Sequence, residues 1–249
     1  MMKLIDALSY NNKLRTVSSE WRSSFAAILF LLSYLAHPFI QILVLLWMSV
    51  WIVAYAGIPL KYFLTLLSMS SVFFLASLPG ILIEFTAGTF LISASGLSLA
   101  LHLWLRTTVC VSCMLFLVFT VPVSEWMQLL NKLRVPSLVI EIMMIMYRFL
   151  FVLSDTAHDM FVAQRARGGH RGLANGLRDT AMIIVRLFAK TMYRYKALSF
   201  GLLSRGFTEH IELPISPRKS VSLRYWTEGL LGILLLIMLE WMLEWKGER

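Results

Sequence analysis

The chain has 249 residues, of which 58% are hydrophobic and only 15% charged, and it carries a net charge of +9. Soluble domains average about 25% charged residues, so an ordinary soluble enzyme is excluded and an all-α polytopic membrane protein is indicated. Two cysteines supply neither a disulfide framework nor an all-cysteine structural zinc site.

In chain order, residues 1–22 are mixed, with four basic and two acidic side chains. Asp6, Asn11, Asn12 and Glu20 interrupt that stretch, so no cleavable signal peptide is expected. Residues 23–36 read as a short first span, broken by His37-Pro38 from a second, uncharged one at 38–56. Gly57, Pro59 and Lys61 then mark a turn before a third span at 62–83, and 81–96 reads as a loop or a short helix on the membrane surface. Residues 96–121 form a fourth span interrupted only by Arg106, and 225–245 a last one. Five spans result, to be set against the roughly 20 residues that cross about 30 Å of hydrocarbon; the first falls short of that length. The organisation expected is a transmembrane region at 1–121, a cytoplasmic helical region at 122–222 and a C-terminal transmembrane helix at 223–249.

Charge placement sets the sidedness. Residues 122–222 hold fourteen basic and seven acidic side chains, +7 of the total +9. By the positive-inside rule the N-terminus, Lys61 and this region face the cytoplasm, leaving the C-terminus outside. Within the region, 139–153 is apolar apart from Glu141 and Arg148. Ser154 or Asp155 is expected to cap a helix running to Ala166-Arg167-Gly168. A second helix is expected from near Asp179 to Ser204-Arg205-Gly206. Its apolar face is Ala181, Ile184, Val185, Phe188, Met192, Tyr195, Ser199 and Leu202. One Arg-Gly at a helix end is an ordinary stop. Two matched small–Arg–Gly endings in one basic region suit an arginine held at a helix tip and inserted into an acidic groove on a partner, where its planar fork pairs bidentately.

At this point the residues resemble a known family, the T component of energy-coupling-factor (ECF) transporters, and within it the cobalt-type branch CbiQ. The resemblance covers nearly the whole chain. It rests on Ile5-Asp6-Ala7-Leu8-Ser9-Tyr10, Gly57-Ile58-Pro59-Leu60, Val111-Ser112-Cys113, Leu133-Arg134-Val135-Pro136 with Glu141, Met146-Tyr147-Arg148-Phe149 and Ala163-Gln164-Arg165-Ala166-Arg167. The two Ala/Ser-Arg-Gly signatures fall on Ala166-Arg167-Gly168 and Ser204-Arg205-Gly206. After the first Ala-Arg pair cobalt-type members often have Leu-Gly-Tyr, where this chain has Gly168-Gly169-His170.

The resemblance implies a coupling scaffold of an ATP-driven metal-ion importer in the cell membrane of a bacterium or archaeon. Cobalt is the implied cargo, with nickel as the alternative. The implied partners are two ABC ATPases, a substrate-binding membrane subunit and a small accessory membrane subunit. Arg167 and Arg205 would each seat in one ATPase. On this reading the chain is not itself an enzyme and holds no cofactor, because ATP binds to the partner chains.

The remaining constellations are consistent with that assignment. No Gly-x-x-x-x-Gly-Lys-Ser/Thr occurs, so this chain lacks the usual cradle for ATP phosphates. Cys110 and Cys113 form C-x-x-C without a neighbouring histidine and read as packing residues, as do Met143, Met144 and Met146. No nucleophile–base set and no nucleic-acid motif accompany the basic helices. Arg106 is either an intramembrane functional charge or an arginine that snorkels to the outer interface. The competing functions are a self-contained secondary transporter or channel, and a conventional ABC permease.

Overall fold

A computed structural model describes residues 2–86, 89–92, 94–169, 172–204, 206 and 222–247. Two compact units emerge, 1–126 with 216–249, and 127–215. Apart from one short hairpin, all the regular structure described is helical.

The first unit opens with α1 (Met2–Tyr10) and a single 3-10 turn (Lys13–Thr16). Ser18 caps α2 (Ser19–Leu35) by accepting the Trp21 N–H. Ala36 and His37 reverse the chain, and Pro38 starts α3 (Pro38–Val50), where its missing N–H costs nothing. A π-helical turn, Trp51–Tyr55, continues α3. Gly57 follows at φ +73°, with its N-terminal neighbour Ala56 accepting the Lys13 N–H. Any β-carbon at Gly57 would stand 3.3 Å from the Lys13 chain. Then come α4 (Leu60–Leu82), an antiparallel hairpin of β1 (Ile83–Thr86) and β2 (Thr89–Ile92), α5 (Ala94–Thr120), the start of α6 (Val123–Lys132) and finally α9 (Leu223–Gly247). The hairpin corrects the loop or surface helix expected at 81–96. Ile83, Phe85 and Thr86 face Ile92, Phe90 and Thr89 in register, and β-branched and aromatic residues of this kind fit a pleated pair better than a helix.

Central α5 packs on α1, α2, α3 and α4. Its Val109, Cys113, Phe116 and Phe119 are buried with Phe25, Leu29, Ile40, Val44 and Trp51. Trp51 joins α2 to α9: its ring lies 5.0 Å from Phe25 and 6.2 Å from Tyr225. Polar contacts fix α9 at both ends, with Tyr55 donating to Glu228 at 2.8 Å and the His37 N–H donating to Glu240 at 2.8 Å.

Two glycines let α9 approach. At Gly229 a β-carbon would stand 2.7 Å from Trp21 Cζ2, and at Gly232 it would overlap the Trp47 ring. Gly232→Leu is therefore expected to destabilise the unit by about 1–3 kcal/mol through overpacking, although leucine is the better helix former. A thermal melt in detergent reads this, and Trp47→Leu in the same chain should recover part of the loss. A Gly232→Leu protein that melts at or above wild type would contradict this packing.

Five helices are long and apolar enough to cross a membrane: Pro38–Tyr55, Leu60–Gly80, Gly96–Thr120, Ser137–Ala166 and Leu223–Leu243. The number matches the expectation, but the set differs. The 17-residue α2 is too short to be among them. Its place is taken by α7, whose first 18 residues contain only Glu141 and Arg148 as charges.

The second unit continues α6 and holds α7 (Ser137–Ala166) and α8 (Leu173–Ser204), which pack on one another. Two expected boundaries are corrected. No helix starts at Ser154 or Asp155; they lie inside α7, because no glycine or proline between 137 and 166 breaks the backbone. Helix α8 starts at Leu173 rather than near Asp179, after Gly172 at φ +80°. Of the expected apolar face, Ala181, Ile184, Val185, Phe188, Met192 and Tyr195 are exposed and Ser199 and Leu202 half-buried, while Ile183, outside that face, is buried and Leu187, Thr191 and Leu198 are half-buried.

Candidate functional site: two matched helix ends

Helix α7 ends at Ala166, and Arg167 is its C-cap at φ −86° and ψ 12°. Gly168 then enters the left-handed region at φ +82°, and its N–H donates to the Arg165 carbonyl at 3.1 Å. The Gly169 N–H closes the turn on Gln164 at 3.0 Å. These bonds satisfy carbonyls that the last turn of a helix leaves open. The next turn out is closely fitted: a β-carbon at Gly169 would lie 2.9 Å from both the Gln164 carbonyl and Asp179. Arg167 itself is exposed, so its side chain projects from a fixed backbone.

The far end of α8 repeats this closure. Ser204 is its last residue and donates its hydroxyl to the Phe200 carbonyl at 2.5 Å. Gly206 stands at φ +68° and its N–H donates to Leu203 at 3.1 Å. Arg205 lies outside the described residues. The spacing Arg165–Gly168 thus recurs as Leu203–Gly206, with the same bond length and the same left-handed glycine.

These two ends do not converge. The first lies beside Asp179, 25 residues before Ser204 (204 − 179) at the end of α8, about 38 Å of helix at 1.5 Å per residue. One small acidic site could not receive both.

Arg106 lies half-buried in α5, its guanidinium carbon 5.4 Å from the centre of the Tyr34 ring. Among the described residues no group of three His, Cys, Asp or Glu side chains is placed to hold a metal ion. Cys110 is half-buried, Cys113 buried, and both are free thiols.

Sequence reasoning missed a buried polar cluster at the opposite end of α5. Arg22 is fully buried, pairs with Glu125 in the first turn of α6 and donates to the Thr120 carbonyl. Asn12 donates to the Phe119 and Thr120 carbonyls at 3.2 and 3.1 Å and to Ser9 at 2.6 Å. Together they cap the last carbonyls of α5 and tie the N-terminal segment to α2 and to the start of α6. The only local hint is an acidic residue three positions after Pro122, at a helix start.

Comparison with known proteins adds an independent observation. The CbiQ family, described as cobalt transport protein, matches residues 11–214. The cobalt transport protein CbiQ of Salmonella typhimurium is 26% identical over 80% of this chain and 94% of its own length. That of Rhodobacter capsulatus is 29% identical over 67% and 68%. A protein named as a fused cobalt transport protein CbiMQ, from Methanocorpusculum labreanum, is 30% identical over 50% of this chain and 21% of its own length.

Proposed function

The chain belongs to the CbiQ cobalt transport protein family, as a multi-pass membrane component of cobalt transport, and we propose that it is the coupling scaffold of an ATP-driven ECF-type importer. The observation that carries this reading is the pair of matched helix ends. Two such ends, Ala166-Arg167-Gly168 closing α7 and Ser204-Arg205-Gly206 following α8, each with a left-handed glycine, lie well apart along α8. That separation suits two ATPase subunits, one receiving Arg167 and the other Arg205. Each arginine would pair bidentately with acidic groups in a groove of its subunit. Closure of the ATPase pair around nucleotide would then pull on both ends of α8.

In this reading the metal is cargo held by a separate substrate-binding membrane subunit. The fused relative, whose name joins a second component to CbiQ in one chain, supports a membrane partner of this sort. Exposed Ile184, Val185, Phe188, Met192 and Tyr195 on α8 offer an apolar contact surface for a partner helix. We keep α7 in the cytoplasmic region despite its apolar first half, because Asp155, His158, Asp159 and Arg165 polarise the second.

Reconstitution separates this function from a self-contained transporter. Vesicles holding the chain alone are expected to take up no labelled cobalt. Vesicles holding it with the two ATPases and the substrate-binding subunit should take it up only when ATP is supplied to the ATPase side. Uptake by the chain alone would establish the self-contained transporter instead.

A further inference from the structure

Arg106 sits where the side of α5 that it shares with His102 loses its neighbours, although Ala100, on another side, stays buried. On the packed face of α5, Phe116, Cys113 and Val109 are buried and Leu105 is packed against the core. One turn further out, Leu101 is 58% exposed and His102 is also exposed. The cause is the length of α2. Tyr34, under the Arg106 guanidinium, is the penultimate residue of α2, and the chain reverses at Ala36 and His37. The 17 residues of α2 rise only about 25 Å at 1.5 Å each, short of the roughly 30 Å of hydrocarbon. Above the turn between α2 and α3, on the outer side by charge asymmetry, this side of α5 is therefore uncovered. Leu99 of α5, seven residues before Arg106 and so on its side, and Leu35 of α2 are exposed there.

Among the described residues the Arg106 cation has an aromatic ring beside it and pairs with no carboxylate. A cation–π contact supplies only about 0.5–2 kcal/mol, while an unpaired arginine at hydrocarbon depth costs several kcal/mol, commonly met by snorkelling and local thinning of the bilayer. His102 stands one turn outward at i−4, hence on the same face and about 6 Å away. The neighbourhood is apolar, so the anion that fits must bring hydrocarbon with it. Free phosphate does not. We propose that Arg106 and His102 form a site for the phosphate group of an outer-leaflet phospholipid, with its acyl chains lying along the exposed Leu99 and Leu35. The guanidinium takes two phosphate oxygens in its fork, and the imidazole is placed to hold the same group from above.

Native mass spectrometry of the delipidated full chain in detergent tests this site, using dioleoyl phosphatidylglycerol, dioleoylglycerol with the same acyl chains, and inorganic phosphate. The wild-type chain should retain one more phosphatidylglycerol than Arg106→Gln at the same lipid concentration, and that molecule should bind about tenfold more tightly than dioleoylglycerol. Arg106→Lys, which keeps the charge and loses the fork, should retain part of the preference, and His102→Gln should weaken it about threefold. An unchanged melting temperature shows that Arg106→Gln is folded; if it is not, Arg106→Lys and His102→Gln decide. Equal retention by wild type and variants, equal binding of the two lipids, or equally tight binding of inorganic phosphate would overturn the site. So would unchanged lipid retention together with failure of Arg106→Gln to co-purify with the substrate-binding subunit, which would reassign the arginine to a protein carboxylate.

Discussion

Replacing Arg22 by methionine is expected to destabilise the membrane unit by about 3–5 kcal/mol, because it strips one partner from a buried ion pair. Arg22 is 0% exposed and Glu125 5%. The variant takes the Arg22 guanidinium away from the buried Glu125 carboxylate and deprives the Thr120 carbonyl of its Arg22 donor at the end of α5. Asn12 still caps Thr120 at 3.1 Å, so the main penalty falls on the Glu125 charge. Changing both partners, Arg22→Met with Glu125→Leu, removes the charge altogether and is expected to restore most of the stability. Thermal melts of the purified chain in one detergent read all three proteins. If the single variant melts with wild type, the pair is not the buried anchor described here; if the double variant is no better than the single, the loss comes from packing.

The second large effect is expected at the helix tips. Truncating one side of a desolvated, hydrogen-bonded charge pair in an interface costs about 2–5 kcal/mol, which is roughly 30-fold to several thousand-fold in affinity. Arg167→Ala should lose one ATPase contact, Arg205→Ala the other, and the double variant both. The sites are about 38 Å apart along α8, too far to share partners, so the two losses should add when each ATPase is scored separately. Lysine at either position keeps the charge but offers no planar fork, and should recover only part of the loss. Gly168 and Gly206 matter through backbone: both occupy the left-handed region, where a side chain is strained by about 1 kcal/mol.

Sequence alone carried some of this and not the rest, for identifiable reasons. The His37-Pro38 reversal, the turn at Gly57 and the two glycine-closed helix ends were legible because proline and glycine act on the local backbone whatever surrounds them. The start of α7 was not, because Ser154 and Asp155 cap a helix only if the chain leaves it there, and nothing between Ser137 and Ala166 forces an exit. In α8 apolar residues occur on more than one side, so periodicity outlined the exposed face that carries Ile184, 62% exposed, but not the side on which Ile183 is buried. The hairpin did leave a trace in the alternation Ile83-Glu84-Phe85-Thr86, before the Ala87-Gly88 pair. The buried anchor left almost none: Arg22 and Glu125 are 103 positions apart, and only the folded chain brings them together. For the helix tips the endings were visible, whereas the distance between them needed the full length of α8.

The coupling claim is met most directly by measuring ATP hydrolysis and cobalt uptake together in the reconstituted complex, with wild-type chain and with Arg167→Ala/Arg205→Ala. Hydrolysis by the ATPase subunits is expected to persist in the double variant, while uptake per ATP falls by tenfold or more, about 1.4 kcal/mol of lost coupling or greater. A double variant that assembles and carries cobalt at the wild-type ratio of uptake to hydrolysis would show that the arginine tips do not couple the two.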